Sequence, residues 1–176
     1  MNKIIIAGFG GQGVQSLGMF IAYGAIHDGK EVTFLPSYGP EMRGGTSNCS
    51  VVVSEKPVAS PIITNPDVLI AMNKPSLAKF ENKVKKGGTI IVNSSLIEDK
   101  VTRTDVKVIY LDANDLALKA GNVKTANIVS LGAYTKVSGM FSAQTMKNVV
   151  EEKFAKKPKL IPVNLVAFDL GYNTAN

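Results

Sequence analysis

The chain is poor in the residues that build redox and metal sites. Its 176 residues include one cysteine, Cys49, one histidine, His27, and no tryptophan. A lone cysteine excludes a disulfide within the chain and a four-thiolate zinc or iron–sulfur site built by this chain alone. A lone histidine excludes a metal motif with two histidines and leaves little scope for a Ser-His-Asp catalytic site. This chain by itself therefore holds no thiolate-bound redox cluster.

Aromatic residues and long apolar runs are also scarce. Aromatic residues make up 7% of the chain and do not alternate with basic ones, so nucleic-acid binding is not expected. No run approaches ~18 apolar residues, and the first residues suit a buried strand better than a signal peptide. We therefore expect a soluble, cytoplasmic protein without a membrane span.

The net charge of +6 includes two lysine clusters at predicted helix ends, where cations complement the helix dipole: Lys83, Lys85 and Lys86, then Lys153, Lys156, Lys157 and Lys159.

The order of hydrophobic patterns predicts the fold class. Short β-branched runs alternate with helical patterns, which is typical of a mainly parallel sheet covered on both faces. Because no helix separates the second and third predicted strands, part of the sheet should be antiparallel. We predict one domain over residues 1–176, with a three-layer α/β/α architecture, a mixed sheet and a Rossmann-like start; the strand order stays open.

The predicted elements are as follows. Strands are expected at Lys3–Ala7, Glu31–Leu35, Thr46–Ser54, Val68–Met72, Thr89–Asn93 and Val106–Leu111. Helices are expected at Gln12–His27, Pro75–Val84, Asp112–Ala120, Ala126–Ser138 and Ala143–Phe154, with a last one opening at Pro162. The pair Asp28-Gly29 should end the first helix, because glycine suits a left-handed cap.

A glycine cluster between the first strand and the first helix is the first candidate site. Residues 8–13 read Gly-Phe-Gly-Gly-Gln-Gly, in the context where helix amides meet a phosphate. A dinucleotide site also needs a carboxylate at the end of the second strand, where Leu35, Pro36 and Ser37 stand instead. An NAD-dependent dehydrogenase is therefore disfavoured. The alternative is that the glycines only allow a close approach of strand and helix.

A second candidate lies in the loop at residues 36–45, which should share one sheet edge with the glycine cluster. This edge is where open α/β sheets bind ligands. The loop offers Tyr38, Glu41 and Arg43, and the guanidinium suits a phosphate or a carboxylate. Asn73, after the fourth strand, is either a polar contact there or a turn residue. Cys49 alternates into a strand, which predicts a packed thiol rather than a nucleophile.

Together these segments resemble the gamma subunit of 2-oxoacid:ferredoxin oxidoreductases. The resemblance rests on the glycine cluster, on Ser-Tyr-Gly-Pro-Glu-Met-Arg-Gly-Gly-Thr-Ser-Asn-Cys at residues 37–49 and on Ala-Met-Asn at 71–73, and it is strongest to the 2-oxoglutarate and 2-oxoisovalerate branches. It implies a complex that oxidatively decarboxylates a 2-oxoacid, 2-oxoglutarate first, with coenzyme A, giving acyl-CoA, carbon dioxide and reduced ferredoxin. Substrate choice would be set by the partner subunits.

The resemblance also implies a division of labour. Thiamine diphosphate, magnesium and the iron–sulfur clusters would lie in partner subunits, namely thiamine-binding alpha and beta subunits and a ferredoxin-like delta subunit. This chain would hold no cofactor alone, contribute no catalytic or metal-binding residue and be inactive in isolation. Its edge loops would shape the entrance for coenzyme A or substrate, through Gly8, Gly10, Gly11, Gln12, Gly13, Ser37, Tyr38, Gly39, Glu41, Arg43, Gly44, Gly45 and Asn73.

Two other functions stay open from the residues alone. The glycine cluster suits a stand-alone nucleotide-binding oxidoreductase, for which binding of NAD(H), NADP(H) or FAD to the isolated chain would be the evidence. The loop at 36–45 also suits a non-enzymatic anion-binding module, for which substitutions at Glu41 and Arg43 would leave turnover unchanged.

Overall fold

The structure is a computed structural model that describes residues 1–39 and 45–175. Its strands are β1 (Asn2–Phe9), β2 (Glu31–Tyr38), β3 (Thr46–Ser54), β4 (Val68–Ala71), β5 (Thr89–Asn93) and β6 (Lys107–Leu111). Its helices are α1 (Val14–His27), α2 (Lys74–Phe80), α3 (Ala113–Ala120), α4 (Ala126–Ser138), α5 (Ala143–Phe154) and α6 (Ile161–Thr174). Short 3₁₀ turns at Glu81–Lys83, Val123–Thr125 and Pro158–Leu160 adjoin α2, α4 and α6.

The six strands form one mixed sheet in the order β2-β3-β1-β4-β5-β6. Pairing is parallel from β1 through β4 and β5 to β6, whereas β3 is antiparallel to both β1 and β2. The predicted mainly parallel α/β sheet with an antiparallel part is therefore confirmed. One feature differs from the expected βαβ unit: β1 and β2 run in the same direction but β3 lies between them. Strand order depends on long-range pairing that local patterns do not encode.

Residues on alternate sides of each strand feed two separate cores. Ile4 and Ile6 of β1 join a large core beneath α1, α3, α4, α5 and α6. Ile5 and Ala7 join a smaller core on the opposite face, beneath α2. The period-two alternation of a strand thus explains both helical layers. No helix in the described ranges is both long and apolar enough to cross a membrane.

Strand β2 extends three residues beyond the predicted end at Leu35. Its pairing with β3 continues to Tyr38, which lies opposite Ser47, so Ser37 and Tyr38 belong to a strand and not to a loop. Pro36 is accommodated because β2 is at the edge of the sheet, where a strand tolerates a missing N–H donor. The ladder with β3 overrides a local composition that indicates a loop.

The other boundaries differ from prediction by a few residues. Pairing with β3 extends β1 through Gly8 and Phe9, and the glycine turn delays the start of α1 from Gln12 to Val14. The predicted helix from Pro75 to Val84 is α2 followed by a 3₁₀ turn. The left-handed cap after α1 is confirmed, since Gly29 has φ 67°.

Helices α4 and α6 lie in backbone contact. A Cβ placed on Gly171 would be 1.9 Å from the carbonyl oxygen of Val129, and one on Gly132 would be 2.1 Å from that of Phe168. Such separations are far below any real carbon–oxygen contact. The absence of side chains at Gly132 and Gly171 therefore sets the distance between these two helices.

Candidate functional site

The glycine turn joins the carboxyl end of β1 to the first turn of α1. Gly11 and Gly13 have φ values of 98° and 76°, in the left-handed region where a side chain is strained. Gly13 occupies the N-cap position of α1, so no side chain caps the helix there. The backbone amides of the first helical turn consequently lie beside an open stretch of glycine backbone.

The side-chain amide of Gln12 forms hydrogen bonds within the glycine turn and to the end of β4. Its Oε1 accepts a hydrogen bond from the backbone N–H of Phe9 at 2.6 Å, and its Nε2 donates to the carbonyl of Met72 at 3.1 Å. The side chain therefore links the ends of two neighbouring parallel strands, β1 and β4. Both polar ends of this amide are engaged by the protein, which makes Gln12 a positioning residue for the turn.

Two glycines of the cluster are required by close packing. A Cβ on Gly8 would lie 2.6 Å from Gln12 Oε1 and 2.8 Å from the Cβ of Met72. A Cβ on Gly13 would lie 2.6 Å from the side-chain nitrogen of Asn127 in α4. At these two positions close packing explains why glycine is needed. The predicted role of these glycines in ligand binding stays a prediction.

The described part of the second loop converges on this turn, as the sequence predicts. The carbonyl of Gly45 accepts a hydrogen bond from the N–H of Gly10 at 2.9 Å, and Gly39 N–H donates to the Thr46 carbonyl at 2.8 Å. Ser37 and Tyr38 are exposed, with 60% of Tyr38 accessible. Glu41, Arg43 and Gly44, which we also predict to be site residues, lie outside the described residues. The sheet edge therefore presents a hydroxyl-bearing surface next to the glycine turn.

Asn73 caps a helix at this edge. Its Oδ1 accepts a hydrogen bond from Ser76 N–H at 2.9 Å at the start of α2, and the residue is 4% exposed. Within residues 1–39 and 45–175, its Nδ2 has no hydrogen-bond partner. Near it, Gly8, Ser47 and Ser76 line a cavity of about 60 Å³, which has room for a few waters and not for a coenzyme. Any large ligand must therefore lie across the open edge.

The edge is fixed to α1 by a second glutamine. Gln15 Nε2 donates to Ser47 Oγ at 3.0 Å and to the Asn48 carbonyl at 2.9 Å. These bonds hold the start of β3 against the first turn of α1. The turn, β3 and β4 are thereby one connected frame, with Gln12 and Gln15 as its crosslinks.

The single cysteine and the single histidine are not part of this edge: Cys49 lies in the core and His27 lies at the end of α1. Cys49 is fully buried, and burial raises the pKa of its thiol to about 12, so it is packed as predicted. His27 is exposed at the end of α1, with its Nε2 2.9 Å from Glu152 Oε2. No group of three or more His, Cys, Asp or Glu side chains suited to a metal occurs among the described residues. The edge offers amides and hydroxyls for binding.

The topology disfavours a dinucleotide site at the glycine turn. In a dinucleotide-binding βαβ unit, the second strand adjoins the first and its terminal carboxylate holds the ribose. Here β3 separates β1 from β2, and β2 ends in Leu35, Pro36, Ser37 and Tyr38, which carry no carboxylate. The insertion of β3 and the lack of a carboxylate at the end of β2 are therefore two independent arguments against a dinucleotide site.

Replacing Gln12 by alanine tests the crosslink between β1 and β4. The substitution removes two hydrogen bonds, and we expect the free energy of unfolding, measured in urea, to fall by about 1–2 kcal/mol. Gln144→Ala is the matched control, since its side-chain amide donates one hydrogen bond, to Asn148, on the exposed side of α5. Equal effects of the two substitutions would show that Gln12 does not hold the turn.

The structure contains a basic concave surface that the sequence did not predict. We name it the lysine cleft: the surface between α1, α4, α5 and α6 lined by Lys124, Lys153, Lys156 and Lys157. The sequence places the last three at a helix end, where they are expected to be solvated. Lys124 lies in the 3₁₀ turn before α4, whereas the other three lie at the end of α5 or directly after it, so only the tertiary packing of the helices brings them to one surface. The only local signal was the density of lysines at 153–159.

Comparison with known proteins places the chain in a family. Residues 3–174 match the family described as pyruvate ferredoxin/flavodoxin oxidoreductase. The chain belongs to this family. The resemblance stated from the glycine cluster and the 37–49 segment is therefore confirmed.

Curated relatives of this chain include subunits whose names give different substrates. It is 38% identical to the ketoisovalerate oxidoreductase subunit VorA of Methanothermobacter thermautotrophicus over 96% of this chain and 35% of that protein. It is 33% identical to the 2-oxoglutarate synthase subunit KorC of Methanocaldococcus jannaschii, over 99% of this chain and 94% of the relative. The chain thus spans about a third of the ketoisovalerate relative and nearly all of the 2-oxoglutarate relative.

Solved structures share the fold along the whole chain. The gamma subunit of a keto/oxoacid ferredoxin oxidoreductase from Geobacter sulfurreducens matches with TM-score 0.86 and 29% identity, over 99% of this chain and 98% of that one. A 2-oxoglutarate:ferredoxin oxidoreductase from Magnetococcus marinus, with 2-oxoglutarate, coenzyme A and succinyl-CoA bound, matches with TM-score 0.91 and 28% identity, over 99% of this chain and 31% of that one. The sheet with the inserted β3 is therefore a family fold.

Proposed function

We propose that this chain is the gamma subunit of a multi-subunit 2-oxoacid:ferredoxin oxidoreductase, present as one domain over residues 1–176. The observation that carries the proposal is the end-to-end structural match to the Geobacter gamma subunit, which covers 99% of this chain and 98% of that one. Because the match uses nearly all of both chains, the fold is shared along the compared residues and not only in one motif. The complex would convert a 2-oxoacid and coenzyme A to acyl-CoA and carbon dioxide while reducing ferredoxin.

The chemistry of the chain supports a non-redox role. Its single thiol, Cys49, is buried in the core, and the one histidine is exposed beside Glu152. Thiamine diphosphate with magnesium, and the iron–sulfur clusters, would accordingly be held by alpha, beta and delta partner subunits. This chain would act by binding its partners and by shaping one wall of the active centre. Its place in the cytoplasm stays a prediction.

We propose 2-oxoglutarate as the substrate of the complex, with 2-oxoisovalerate as the second candidate. The 2-oxoglutarate synthase relative is matched over 94% of its length, and the Magnetococcus enzyme carries 2-oxoglutarate and coenzyme A. The ketoisovalerate relative is the more identical one, at 38%. The comparison of kcat/KM for the two acids on the assembled complex decides between them.

The open sheet edge is the part of this chain that we propose for contact with coenzyme A. It combines the glycine turn with the exposed ends of β2 and β3, where Ser37 and Tyr38 present hydroxyl groups. Because the adjoining cavity is about 60 Å³, the coenzyme would lie along the surface, with the partner subunits as the opposite wall. The contact is one of orientation and not of covalent chemistry.

Co-expression with the genes for the thiamine-binding and ferredoxin-like subunits tests the proposal. The purified complex should reduce an electron acceptor only when both a 2-oxoacid and coenzyme A are supplied. The control is the same set of subunits purified without this chain. Full CoA-dependent turnover in that control would contradict the proposal.

Arg43→Ala tests the predicted role of the loop that contains it. A guanidinium can pair bidentately with phosphate, so we expect the KM for coenzyme A to rise about tenfold with the melting temperature unchanged. Arg43→Lys keeps the charge but loses the bidentate geometry and should have an intermediate KM. Unchanged kinetics for Arg43→Ala would remove this loop from the coenzyme contact.

A further inference from the structure

The excess positive charge of the chain is concentrated in one part of the sequence. Residues 119–168 contain eight lysines and two carboxylates, Glu151 and Glu152, so this segment carries a net charge of +6. Residues 1–118 are nearly neutral, with twelve basic and eleven acidic side chains. The charge of the whole molecule is therefore carried by the helical layer that contains α4, α5 and α6, which makes the electric field of the protein asymmetric.

The lysine cleft collects most of this charge on one surface. Lysines 124, 153, 156 and 157 line it, and Lys159 lies in the 3₁₀ turn between two of the lining residues. We name these five exposed lysines the basic face. None of them lies within ion-pair distance of a carboxylate among the described residues, so their charge is not neutralised inside the chain.

Exposed apolar side chains lie among these charges. Val123 directly precedes Lys124 in its 3₁₀ turn and is 43% exposed. Val166 is 47% exposed on α6, which packs against the same turn. Phe154 lines the lysine cleft and is half-buried. Apolar contact points within a charged surface are typical of a region that binds another protein.

The abundance of lysine favours a transient partner over a permanent one. Lysine is depleted in stable subunit interfaces, because burial of an ammonium group costs desolvation and side-chain entropy. Weak electron-transfer complexes form the contrasting class. Their interfaces are small, and complementary charge brings the two proteins together quickly without holding them for long. The basic face therefore suits an acidic protein that binds and leaves.

We propose that the basic face is an accessory docking surface for the soluble electron acceptor of the complex, a ferredoxin with a net negative charge. The inference rests on the proposed function, which requires a protein acceptor that binds and leaves in every turnover. This chain would transfer no electron itself. Its lysines would raise the local concentration of the acceptor beside the partner subunit that holds the clusters, so they would act on kcat/KM for ferredoxin and not on the chemistry of the 2-oxoacid.

Ferredoxin-dependent turnover of the assembled complex at low ionic strength tests the proposal. We expect the charge reversal Lys156→Glu/Lys157→Glu to lower kcat/KM for ferredoxin about tenfold, with turnover of a small dye such as methyl viologen unchanged. The matched control Lys56→Glu/Lys86→Glu reverses the same charge at exposed positions outside the lysine cleft and should change kcat/KM less than about twofold. Added salt should bring the wild type and the first variant together, because it screens the attraction.

Binding of oxidised ferredoxin to the full chain, measured by calorimetry at low ionic strength, is the second measurement. We expect binding that Lys156→Glu/Lys157→Glu weakens about tenfold and the control variant does not. No ferredoxin binding, a random-sequence DNA duplex bound as tightly as ferredoxin, or equal losses of turnover with ferredoxin and with the dye would overturn the proposal. A wild-type complex that is inactive with both acceptors would instead contradict the proposed function, because ferredoxin binding to the chain is measured without partner subunits.

Discussion

Gly171→Ala is expected to lower the free energy of unfolding by about 3 kcal/mol or more, the upper range for overpacking of a core. Alanine is the better helix former by about 1 kcal/mol, but its Cβ would lie 1.9 Å from the Val129 carbonyl oxygen. Backbone atoms cannot rotate away as a side chain does, so α4 and α6 must separate. For a chain of this size the melting temperature should fall by roughly 6–12 °C.

Asn173→Ala is the control within the same helix. Asn173 is exposed on α6, so the substitution adds no contact with α4 and should change the free energy of unfolding by less than about 0.5 kcal/mol. Gly132→Ala should act like Gly171→Ala, since its Cβ would be 2.1 Å from the Phe168 carbonyl oxygen. A melting temperature of Gly171→Ala equal to that of the control would refute the backbone contact between these helices.

Cys49 is expected to resist alkylation by iodoacetamide in the folded protein. Burial raises the pKa of its thiol from the ordinary 9.0 to about 12, which lowers the thiolate fraction at pH 8.5 roughly a thousandfold. The side chain is also fully inaccessible. Mass spectrometry should therefore show alkylation at least 100-fold slower in buffer than in guanidinium chloride. Comparable rates under the two conditions would contradict a packed thiol.

The same shift predicts a pH dependence of stability. The folded state keeps the thiol protonated up to about pH 12, whereas the unfolded chain loses the proton near pH 9. The contribution of this thiol is therefore complete below pH 9 and decreases by at most about 1.4 kcal/mol per pH unit as the pH rises towards 12. The difference in stability between wild type and Cys49→Ala isolates this contribution from other groups, and it should narrow in that range.

Local patterns predicted the helices and the central strands well because each carries its own signal. Helix α5 begins after Ser142, whose hydroxyl accepts a hydrogen bond from Thr145 N–H, the cap expected of serine. Strand β5 is a run of buried β-branched residues between polar ends. The predicted end of β2 was wrong because Pro36, Ser37 and Tyr38 have the composition of a loop. They form a strand only through pairing with β3.

The candidate site was predictable in position and less so in contacts. Convergence of the two loops follows from the rule that the carboxyl ends of parallel strands meet at one edge. The internal closure of the turn by Gln12 depends on Met72, which is 60 residues away in sequence, and no local pattern reports such a partner. The lysine cleft was not predicted for the same reason. Lys124 and the lysines at 153–157 line one surface only after the helices have packed.

The insertion of β3 also constrains how the N-terminal half can fold. Consecutive strands β1 and β2 never share a hydrogen bond; β1 first gains a partner on that side when Thr46 reaches Phe9 and Val53 reaches Asn2. Strands β2 and β3 can pair as neighbours in sequence, but the chain must close a long loop containing all of α1 and β2 before β3 forms hydrogen bonds with β1. Contacts so distant in sequence slow folding. Pairing of β3 with β1 is consequently the step that places the start of β3 beside the glycine turn and completes the sheet edge.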